Sequence, residues 1–421
     1  MGRPCDGGGK RQHNHNKFIL LSGRMLGLRR NLVACITISL AFAVFLTLCI
    51  AVINAERNSS AKNDNATTVE TAVECDLFSG RWIYDNSSHP LYVEEECMFM
   101  SDQLACGKFG RKEFKYQNWR WKPHHCDLPR FNATALLESL RGRRLVFVGD
   151  SLNRGQWISM VCLLGSVIQP THKSMETDGN LMSFKAHQYN ASVEFYWAPL
   201  LVESNSDDPV NHRLPERIIR PQSIEKHAKH WSTADILVFN SYLWWRQDGI
   251  KLLWGSFNDS DGLYTKVNML RSYELVLQTW ANWLEFNIDS AKIRLFFMTF
   301  SPTHSWADEW GGRTDQNCFN ESEPIIKNGH TGRDSDQRIT KLTRSAIEGL
   351  KSRGVVVDLL DITQLSEYRK DGHPSVYRKQ WEPLTETQIA NPSTYADCIH
   401  WCLPGVPDVW NELLYAYIFS R

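Results

Sequence analysis

The sequence predicts an α/β fold in which helices cover both faces of a parallel sheet. Four apolar runs are typical of buried strands: 143–148, 236–240, 293–300 and 355–362. Helix-like segments lie between them at roughly 267–287 and 336–353, and the second ends before Gly354. Strands that alternate with helices pair in parallel, because each crossover helix returns the chain to the end of the sheet at which the previous strand began.

The composition is that of a folded chain with a large core. Of its 421 residues, 42% are hydrophobic and 22% are charged, which excludes a disordered chain and allows one large domain or two ordinary ones. The 47 basic and 47 acidic residues cancel. Proteins that bind nucleic acids normally have a basic surface that neutralises phosphates, so we expect no nucleic-acid partner.

The charges are unevenly distributed, and this asymmetry predicts a membrane anchor. Residues 1–31 contain seven basic residues and one acid, whereas the following 22 residues, 32–53, contain no charged side chain. Such a helix would be about 33 Å long, enough to cross the hydrocarbon core of a bilayer. The basic flank before the span favours an uncleaved type II signal anchor with a cytosolic N-terminus. A cleaved signal peptide is the alternative.

These features divide the chain into four parts. Residues 1–31 form a basic cytosolic tail, 32–53 a transmembrane helix and 54–74 a polar stem, and a lumenal domain occupies 75–421. Within that domain, residues 75–130 contain four cysteines and few periodic runs. This part is therefore expected to be an irregular subdomain held by disulfides.

Sequons and cysteines indicate an oxidising lumen. Seven Asn-x-Ser/Thr sequons follow the span, at Asn58, Asn65, Asn86, Asn132, Asn190, Asn258 and Asn320. Eight cysteines also follow it, and an even number in such a compartment predicts four disulfides whose pairing the spacing leaves open. A zinc site is disfavoured, because no Cys-x-x-Cys pair repeats and the spacing of Cys398, His400 and Cys402 is atypical. We expect no metal.

Ser151 is the candidate nucleophile. The strand-like run 143–148 leads into Gly149-Asp150-Ser151, where a helix is expected to begin. In parallel α/β sheets, reactive groups lie at the carboxyl ends of strands, and backbone N–H groups at a helix N-terminus can receive an oxyanion. An Asp-Ser pair before a helix is also an ordinary N-cap, so the tripeptide alone leaves both interpretations open.

The segment 395–402 offers a base with a carboxylate beside it, which a serine nucleophile requires. Asp397 and His400 are three residues apart, so on one helical turn their side chains would meet and the second ring nitrogen would face Ser151. Cysteines within the segment would fasten it to the domain. A surface Asp–His pair is the alternative interpretation, and His304 is a second candidate base.

Together, these motifs resemble those of a known family. The run 148–154 (VGDSLNR), the later run 397–400 (DCIH) and the run 401–405 (WCLPG) are similar to the plant trichome birefringence-like proteins. The lumenal domains of that family are polysaccharide O-acetyltransferases related to the SGNH/GDSL esterases. The resemblance covers residues 75–421, and the run 238–245 (VFNSYLWW) looks most like the branch that acts on xylan.

The resemblance implies a fold, a triad and a disulfide pattern. The fold would be a Rossmann-like, SGNH/GDSL-type α/β/α major lobe with a smaller disulfide-stapled lobe and a groove between them. Ser151 would be the nucleophile, His400 the base and Asp397 the residue that orients it. Further candidates for oxyanion or substrate contacts are Gly149, Asn240 and Arg154. The implied disulfides are Cys75–Cys126, Cys97–Cys162, Cys106–Cys402 and Cys318–Cys398.

Tryptophans and charge bear on the substrate. All 16 tryptophans follow the stem, and those beside the motifs either fill the core or stack on sugar rings: Trp244, Trp245, Trp306 and Trp401. Residues after 31 contain 40 basic and 46 acidic side chains. This balance gives no strong attraction for a polyanion such as pectin, and it suits a neutral or weakly acidic glycan better.

The resemblance therefore predicts a Golgi-anchored O-acetyltransferase that acetylates xylosyl 2- or 3-hydroxyls through an acetyl-serine. No bound cofactor is expected, because the acetyl donor is a substrate. The expected partners are the polysaccharide, the Golgi membrane and other wall-synthesis enzymes. Three alternatives remain: a polysaccharide acetyl esterase, an acetyltransferase for xyloglucan, mannan or pectin, and a non-catalytic protein that binds wall polysaccharide.

Overall fold

The structure, a computed structural model, describes residues 44–52, 54 and 75–420. The chain divides into two compact units, Met1–Val73 and Glu74–Arg421. The predicted tail, nearly all of the predicted stem and residues 32–43 of the predicted span lie outside the described residues. Residues 44–52 are helical, and none of the helices that the structure describes combines the length and the apolarity that a membrane span requires.

Twelve strands occur in the described residues. In chain order they are β1 (Gly80–Tyr84), β2 (Trp119–Pro123), β3 (Arg144–Gly149), β4 (Lys173–Asp178), β5 (Leu181–Ala186), β6 (Ala191–Trp197), β7 (Ile218–Ile219), β8 (Ile236–Phe239), β9 (Gly249–Trp254), β10 (Leu263–Asn268), β11 (Arg294–Met298) and β12 (Val357–Leu360). The four strands predicted from apolar runs correspond to β3, β8, β11 and β12.

Eight α-helices occur in residues 75–420. They are α1 (Ala133–Ser139), α2 (Ser151–Gly165), α3 (Glu225–Ala228), α4 (Met269–Asn287), α5 (Gln337–Ser352), α6 (Thr363–Glu367), α7 (Glu386–Ala390) and α8 (Val406–Phe419). The two predicted helices correspond to α4 and α5. Each begins at a side-chain cap, because Asn268 accepts a hydrogen bond from the Leu270 N–H and Asp336 from the Arg338 N–H.

The central sheet is mixed and not wholly parallel. Its order is β12-β11-β8-β3-β6-β5-β4, in which the first five strands run parallel while β5 and β4 form an antiparallel edge. The prediction of a parallel sheet therefore holds for its centre and is wrong at this edge. Half-exposed edge strands carry polar residues such as Glu176 and Lys185, so they lack the continuous apolar runs of buried strands.

Helices cover both faces of the sheet, as predicted. The side chains of β3 alternate, with Leu145 and Phe147 in one buried cluster and Val146 and Val148 in the other. The first cluster includes residues of α2 and α8, and the second includes residues of α4 and α5. Because the central strand is buried on both faces, the loop that follows it is held on a rigid base.

Residues 75–130, the N-terminal subdomain, contain little regular structure. The subdomain contains one antiparallel pair, β1 with β2, and two 3₁₀ turns. Its Tyr92, Leu104 and Trp121 belong to the same hydrophobic cluster as Phe147 of the central sheet. Several buried apolar residues of this subdomain therefore pack into the core of the major fold, while Cys106 and Tyr116 form a small separate cluster with Cys402.

The predicted sequons are exposed wherever the structure describes them. Asn58 and Asn65 lie outside the described residues. The other five asparagines are all exposed to solvent: Asn86, Asn132, Asn190, Asn258 and Asn320. Exposure is the property that an attached glycan requires.

Close packing at the end of β3 requires a glycine. A Cβ atom added to Gly149 would lie 2.5 Å from the backbone oxygen of Asn240, which follows the neighbouring strand β8. We expect Gly149→Ala to lower the free energy of unfolding by about 1–3 kcal/mol, the typical cost of overpacking a core, because a backbone oxygen of the sheet must move. Chemical denaturation would measure the loss.

Gly155 is the matched control for this substitution. It lies in α2, and its added Cβ would meet only the Leu104 Cδ1 atom at an ordinary 3.8 Å. Gly155→Ala should raise helix stability by about 0.5–1 kcal/mol. Equal stability of the two variants would contradict this account of the end of β3.

Candidate active site

Ser151 lies at the junction of β3 and α2, at the carboxyl end of a central strand. β3 ends at Gly149, and the Asp150 side chain caps α2 by accepting a hydrogen bond from the Leu152 N–H at 2.9 Å. Ser151 is the first residue of the helix and is partly exposed. The N-cap is therefore Asp150, and the Ser151 hydroxyl is left for other contacts.

Ser151, His400 and Asp397 form one hydrogen-bonded line. His400 Nε2 lies 2.9 Å from Ser151 Oγ, and His400 Nδ1 lies 2.9 Å from Asp397 Oδ2. The carboxylate accepts the Nδ1–H group, which leaves Nε2 as the acceptor for the serine proton. The structure thus brings together the three residues to which the resemblance assigns a triad.

The prediction that Asp397 and His400 share one helical turn is wrong. Asp397 forms an isolated antiparallel bridge with Ser375, and its Oδ1 accepts the N–H groups of Ile399 at 3.1 Å and His400 at 3.0 Å. A short carboxylate side chain competes for local backbone N–H groups, and here it produces an Asx-type turn. This turn brings the imidazole to the carboxylate without any helix.

The environment of Asp397 keeps it ionised. Burial opposes its charge, but the charge and ring hydrogen bond of His400, together with two backbone N–H groups, outweigh burial and hold the pKa of Asp397 well below its usual range. A permanently charged carboxylate fixes the tautomer of His400 and favours the imidazolium form after proton transfer.

Asp150 is a second buried carboxyl group at this site, and no role was predicted for it. Its side chain is inaccessible to solvent, and burial raises the pKa of Asp150 to about 6, against the lowering effects of the Leu152 N–H and the charge of His400. The neighbouring environments therefore shift the two carboxyl groups in opposite directions, because burial raises the pKa of Asp150 whereas the charge and hydrogen bonds of His400 lower that of Asp397.

Arg154 and Gln103 form a second line of contacts that ends at His400. Arg154 follows Ser151 by one helical turn, and its Nη2 donates to Gln103 Oε1 at 3.1 Å. Gln103 Nε2 lies 3.1 Å from His400 Nδ1, but both groups are donors when Nδ1–H is bonded to Asp397, so this is a packing contact and not a hydrogen bond. Arg154 thus contacts the N-terminal subdomain and not an acidic side chain. Gln103 was not predicted, because nothing in its local sequence marks it and it is 297 residues from His400.

Asn240 does not present its amide as the predicted oxyanion donor. Its Nδ2 donates to the backbone oxygens of Met298 at 3.2 Å and Thr299 at 3.4 Å, so both amide hydrogens are directed at β11 and the residue that follows it. Rotation of the amide would place an oxygen against two carbonyls, which excludes that orientation. The backbone oxygen of Asn240 instead packs against Gly149. The absence of a Cβ atom at Gly149 lets the two stretches of backbone approach closely.

The rival base, His304, lies behind the triad. It is fully buried, and its ring contacts His373 and the backbone oxygen of Glu367, with no contact to Ser151. Burial lowers the pKa of His304 to about 4. The structure therefore favours His400 as the base.

The four tryptophans near the motifs divide between core and surface. Trp245 and Trp401 are buried, with relative exposures of 0% and 2%. Trp244 is half-buried, and its ring lies beneath the guanidinium of Arg217, 4.3 Å from the ring centroid. Only Trp306 of this set is well exposed, at 44%.

Four disulfides hold the domain, and two of them fasten the catalytic segment, residues 397–402, on both sides of His400. They are Cys75–Cys126, Cys97–Cys162, Cys106–Cys402 and Cys318–Cys398, the same pairs that the resemblance implies. Cys398 and Cys402 flank His400 and lead to separate parts of the chain. Within the described residues, no cluster of His, Cys, Asp and Glu side chains is suited to hold a metal ion.

Comparisons with known proteins agree with this geometry. Residues 128–417 match the model of PC-Esterase, described as a GDSL/SGNH-like acyl-esterase family found in Pmr5 and Cas1p, and residues 73–127 match the PMR5 N-terminal domain. Protein trichome birefringence-like 34 of Arabidopsis thaliana is 56% identical over 405 residues, which cover 94% of this chain and 98% of the relative.

Rice proteins are similar over most of the chain as well. Xylan O-acetyltransferase 14 of Oryza sativa subsp. japonica is 52% identical over 369 residues, covering 82% of this chain and 78% of the relative. Xylan O-acetyltransferase 12 of the same organism is 53% identical over 357 residues, covering 84% and 71%. With the Ser151–His400–Asp397 line in place, these matches show that the chain belongs to the PC-esterase family of GDSL/SGNH-like acyl-esterases, together with the trichome birefringence-like proteins.

Proposed function

We propose that this enzyme is a xylan O-acetyltransferase that works by double displacement through an acetyl-serine. The observation that carries the proposal is the hydrogen-bonded line from Asp397 through His400 to Ser151. Xylan is proposed as the acceptor because three rice relatives at 52–53% identity are called xylan O-acetyltransferases.

The first displacement loads the serine. Ser151 Oγ attacks the carbonyl carbon of the acetyl donor while His400 Nε2 takes the hydroxyl proton. The Leu152 N–H is already bonded to Asp150, so the backbone N–H of Ser151 at the start of α2 would stabilise the oxyanion, and the helix dipole favours negative charge there. The intermediate then collapses, the bond to the donor breaks, and His400 returns the proton to the leaving group.

The second displacement transfers the acetyl group. A xylosyl 2- or 3-hydroxyl gives its proton to His400 and attacks the acetyl-serine carbonyl. The oxyanion forms again, the ester bond to Ser151 breaks, and the protonated His400 restores the serine hydroxyl. The acetyl donor is thus consumed as a substrate, and the mechanism requires no bound cofactor or metal.

Exposed aromatic side chains support a sugar acceptor. Trp306 is 44% exposed and Trp381 is 66% exposed. Trp381 is three residues from Arg378 in the sequence, so the Cα atoms of Trp381 and Arg378 are at most about 11 Å apart. The Nε atom of Arg378 lies 3.5 Å from Asp397 Oδ2. Exposed indole rings of this kind are suited to stack on a pyranose ring.

The function is tested by incubating the purified protein with an activated acetyl donor and xylan oligomers. We expect a net gain of acetyl groups on xylosyl hydroxyls, detected by mass spectrometry, and less or none on xyloglucan, mannan or pectin oligomers. Transfer to one of those glycans in preference to xylan would disprove the proposed acceptor.

A polysaccharide acetyl esterase is the second candidate function. It is favoured by the description of the matching family as acyl-esterases. The same triad would then pass the acetyl group to water, and the outcome depends on how well water is excluded from the acceptor site. Net loss of acetyl groups from acetylated xylan, without gain on the unacetylated oligomer, would establish this function instead.

We also propose that the enzyme is a single-pass type II protein of the Golgi membrane with its catalytic domain in the lumen. The support is the uncharged run 32–53 after the basic residues 1–31, together with the sequons that follow. In intact Golgi vesicles, protease should remove only the basic tail and leave residues 75–421 protected and glycosylated. Cleavage of that domain from outside would disprove the orientation.

A further inference from the structure

Two buried histidines lie directly behind the catalytic base. His304 and His373 have relative exposures of 0% and 1%. His304 Nδ1 lies 2.6 Å from His373 Nε2, and His373 Nδ1 lies 2.7 Å from the backbone oxygen of His400. The remaining nitrogen, His304 Nε2, lies 3.0 Å from the backbone oxygen of Glu367. The rings therefore form a chain that ends on the main chain of the base.

The hydrogen-bonding capacity of imidazole assigns the tautomers of this chain. A backbone oxygen can only accept, so His373 must carry its proton on Nδ1 to bind His400 at 2.7 Å. His373 Nε2 is then an acceptor, and His304 must carry its proton on Nδ1 to bind it. Two neutral rings carry only two protons for the three contacts, so in this arrangement the two shortest are hydrogen bonds and His304 Nε2 faces the Glu367 oxygen without a proton.

The surroundings favour this neutral state. Burial lowers the pKa of His304 to about 4 and holds that of His373 well below its usual range. The His373 ring stacks on Trp401, with the centroids 4.1 Å apart. A Cβ added to Gly372 would lie 3.1 Å from the Trp401 ring, so a glycine permits this close packing.

The residues around His373 are hydrogen-bonded through their backbone to both ends of the segment 397–402. Ser375 and Asp397 exchange two backbone hydrogen bonds, of 3.0 and 2.9 Å, and the Cys402 N–H donates to the Gly372 oxygen at 2.9 Å. The buried Arg111 of the N-terminal subdomain donates to the backbone oxygens of both His373 and Asp371. Residues 371–375 therefore form a strut between that subdomain and the triad.

We propose that His373 is a positioning residue for His400, acting through the backbone carbonyl, and that His304 fixes the tautomer in which His373 acts. The inference rests on the proposed role of His400 as the base. The Nδ1–H group of His373 holds the main chain of His400 in place, so that His400 Nε2 stays within hydrogen-bonding distance of Ser151 Oγ. His304 touches neither Ser151 nor the reacting atoms, so it is not a second base.

Replacing His373 by asparagine or by glutamine distinguishes a positioning hydrogen bond from a role in packing alone. The amide nitrogen of asparagine can occupy the place of Nδ1, whereas glutamine extends one carbon further, towards the place of Nε2. We expect His373→Asn to retain most of kcat. His373→Gln should lose on the order of 100-fold in kcat, as a displacement of about 1 Å does, with KM for the glycan unchanged.

The same comparison applies to His304, where asparagine preserves the Nδ1 donor and leucine removes it. His304→Asn should keep more activity than His304→Leu, and the thermal unfolding of each full-length variant shows whether it is folded. Equal kcat values for the two folded variants at position 373, or a loss confined to KM, would overturn the inference. Because the wild-type protein alone tests acetyl transfer, such a result would leave the proposed function standing.

Discussion

Ser151→Ala is expected to abolish both acetyl transfer to glycan and the slow hydrolysis of an activated donor. In the proposed mechanism both reactions pass through the acetyl-serine, and no other hydroxyl group hydrogen-bonds to His400 Nε2 within the described residues. Loss of a serine nucleophile in such a triad lowers kcat by on the order of 10⁴- to 10⁶-fold. Mass spectrometry after donor treatment should show an acetylated Ser151 peptide in the wild-type protein and no acetylation of the corresponding peptide in the variant.

Changes at the base should be nearly as severe and should not add to the loss of the serine. His400→Ala removes the acceptor of the serine proton, so the double variant Ser151→Ala/His400→Ala should be no worse than either single variant. Asp397→Asn should cost about 10⁴-fold, because an amide no longer selects the Nδ1–H tautomer of His400. The rate of donor hydrolysis measures all three losses without any glycan.

An exposed histidine provides the control. His187 lies at the far end of β5 and is exposed, so His187→Ala should leave the rate unchanged. Full activity of His400→Ala would eliminate the assigned triad. If Ser151→Ala left glycan acetylation unchanged, the alternative of a non-catalytic, polysaccharide-binding protein would be favoured.

The sequence predicted the triad because its members occur in compact motifs with strong local constraints. A glycine and a capping aspartate at a strand–helix junction place Ser151, and the three-residue spacing of Asp397 and His400 permits contact in a turn as well as in a helix. The contact was therefore predicted with the wrong local geometry. Spacing restricts distance, but the hydrogen bonds from backbone N–H groups decided the conformation.

The residues that were missed act across long separations in the sequence. Gln103 lies between Cys97 and Cys106, whose disulfides to Cys162 and Cys402 join its loop to α2 and to the segment that carries His400. His373 carried no local signal, since a buried histidine pair is visible only once β11 and the strut are folded together. The edge strands β4 and β5 were missed for a different reason, because half-exposed strands lack a continuous apolar run.

The disulfide Cys106–Cys402 is expected to matter for stability and separately for catalysis. It closes a loop of 296 residues and joins the N-terminal subdomain to the residue two positions after His400. Its removal should lower the free energy of unfolding by about 2–5 kcal/mol, near the upper end because the loop is long. The double variant Cys106→Ser/Cys402→Ser avoids a free thiol and should be expressed poorly.

The catalytic effect follows from the place of Cys402 in the triad segment. Cys402 and Cys398 restrain His400 from both sides, so without one bridge the imidazole should be held less closely to Ser151, and a displacement of about 1 Å costs on the order of 100-fold. The matched control is Cys75→Ser/Cys126→Ser, which removes a bridge within the N-terminal subdomain. Both variants should lose stability, but only the first should lose donor hydrolysis per folded molecule, with the folded fraction measured by circular dichroism. Equal specific activities would mean that the bridge stabilises the fold without positioning the base, and a Cys398–Cys402 peptide in a non-reducing digest would contradict the restraint itself.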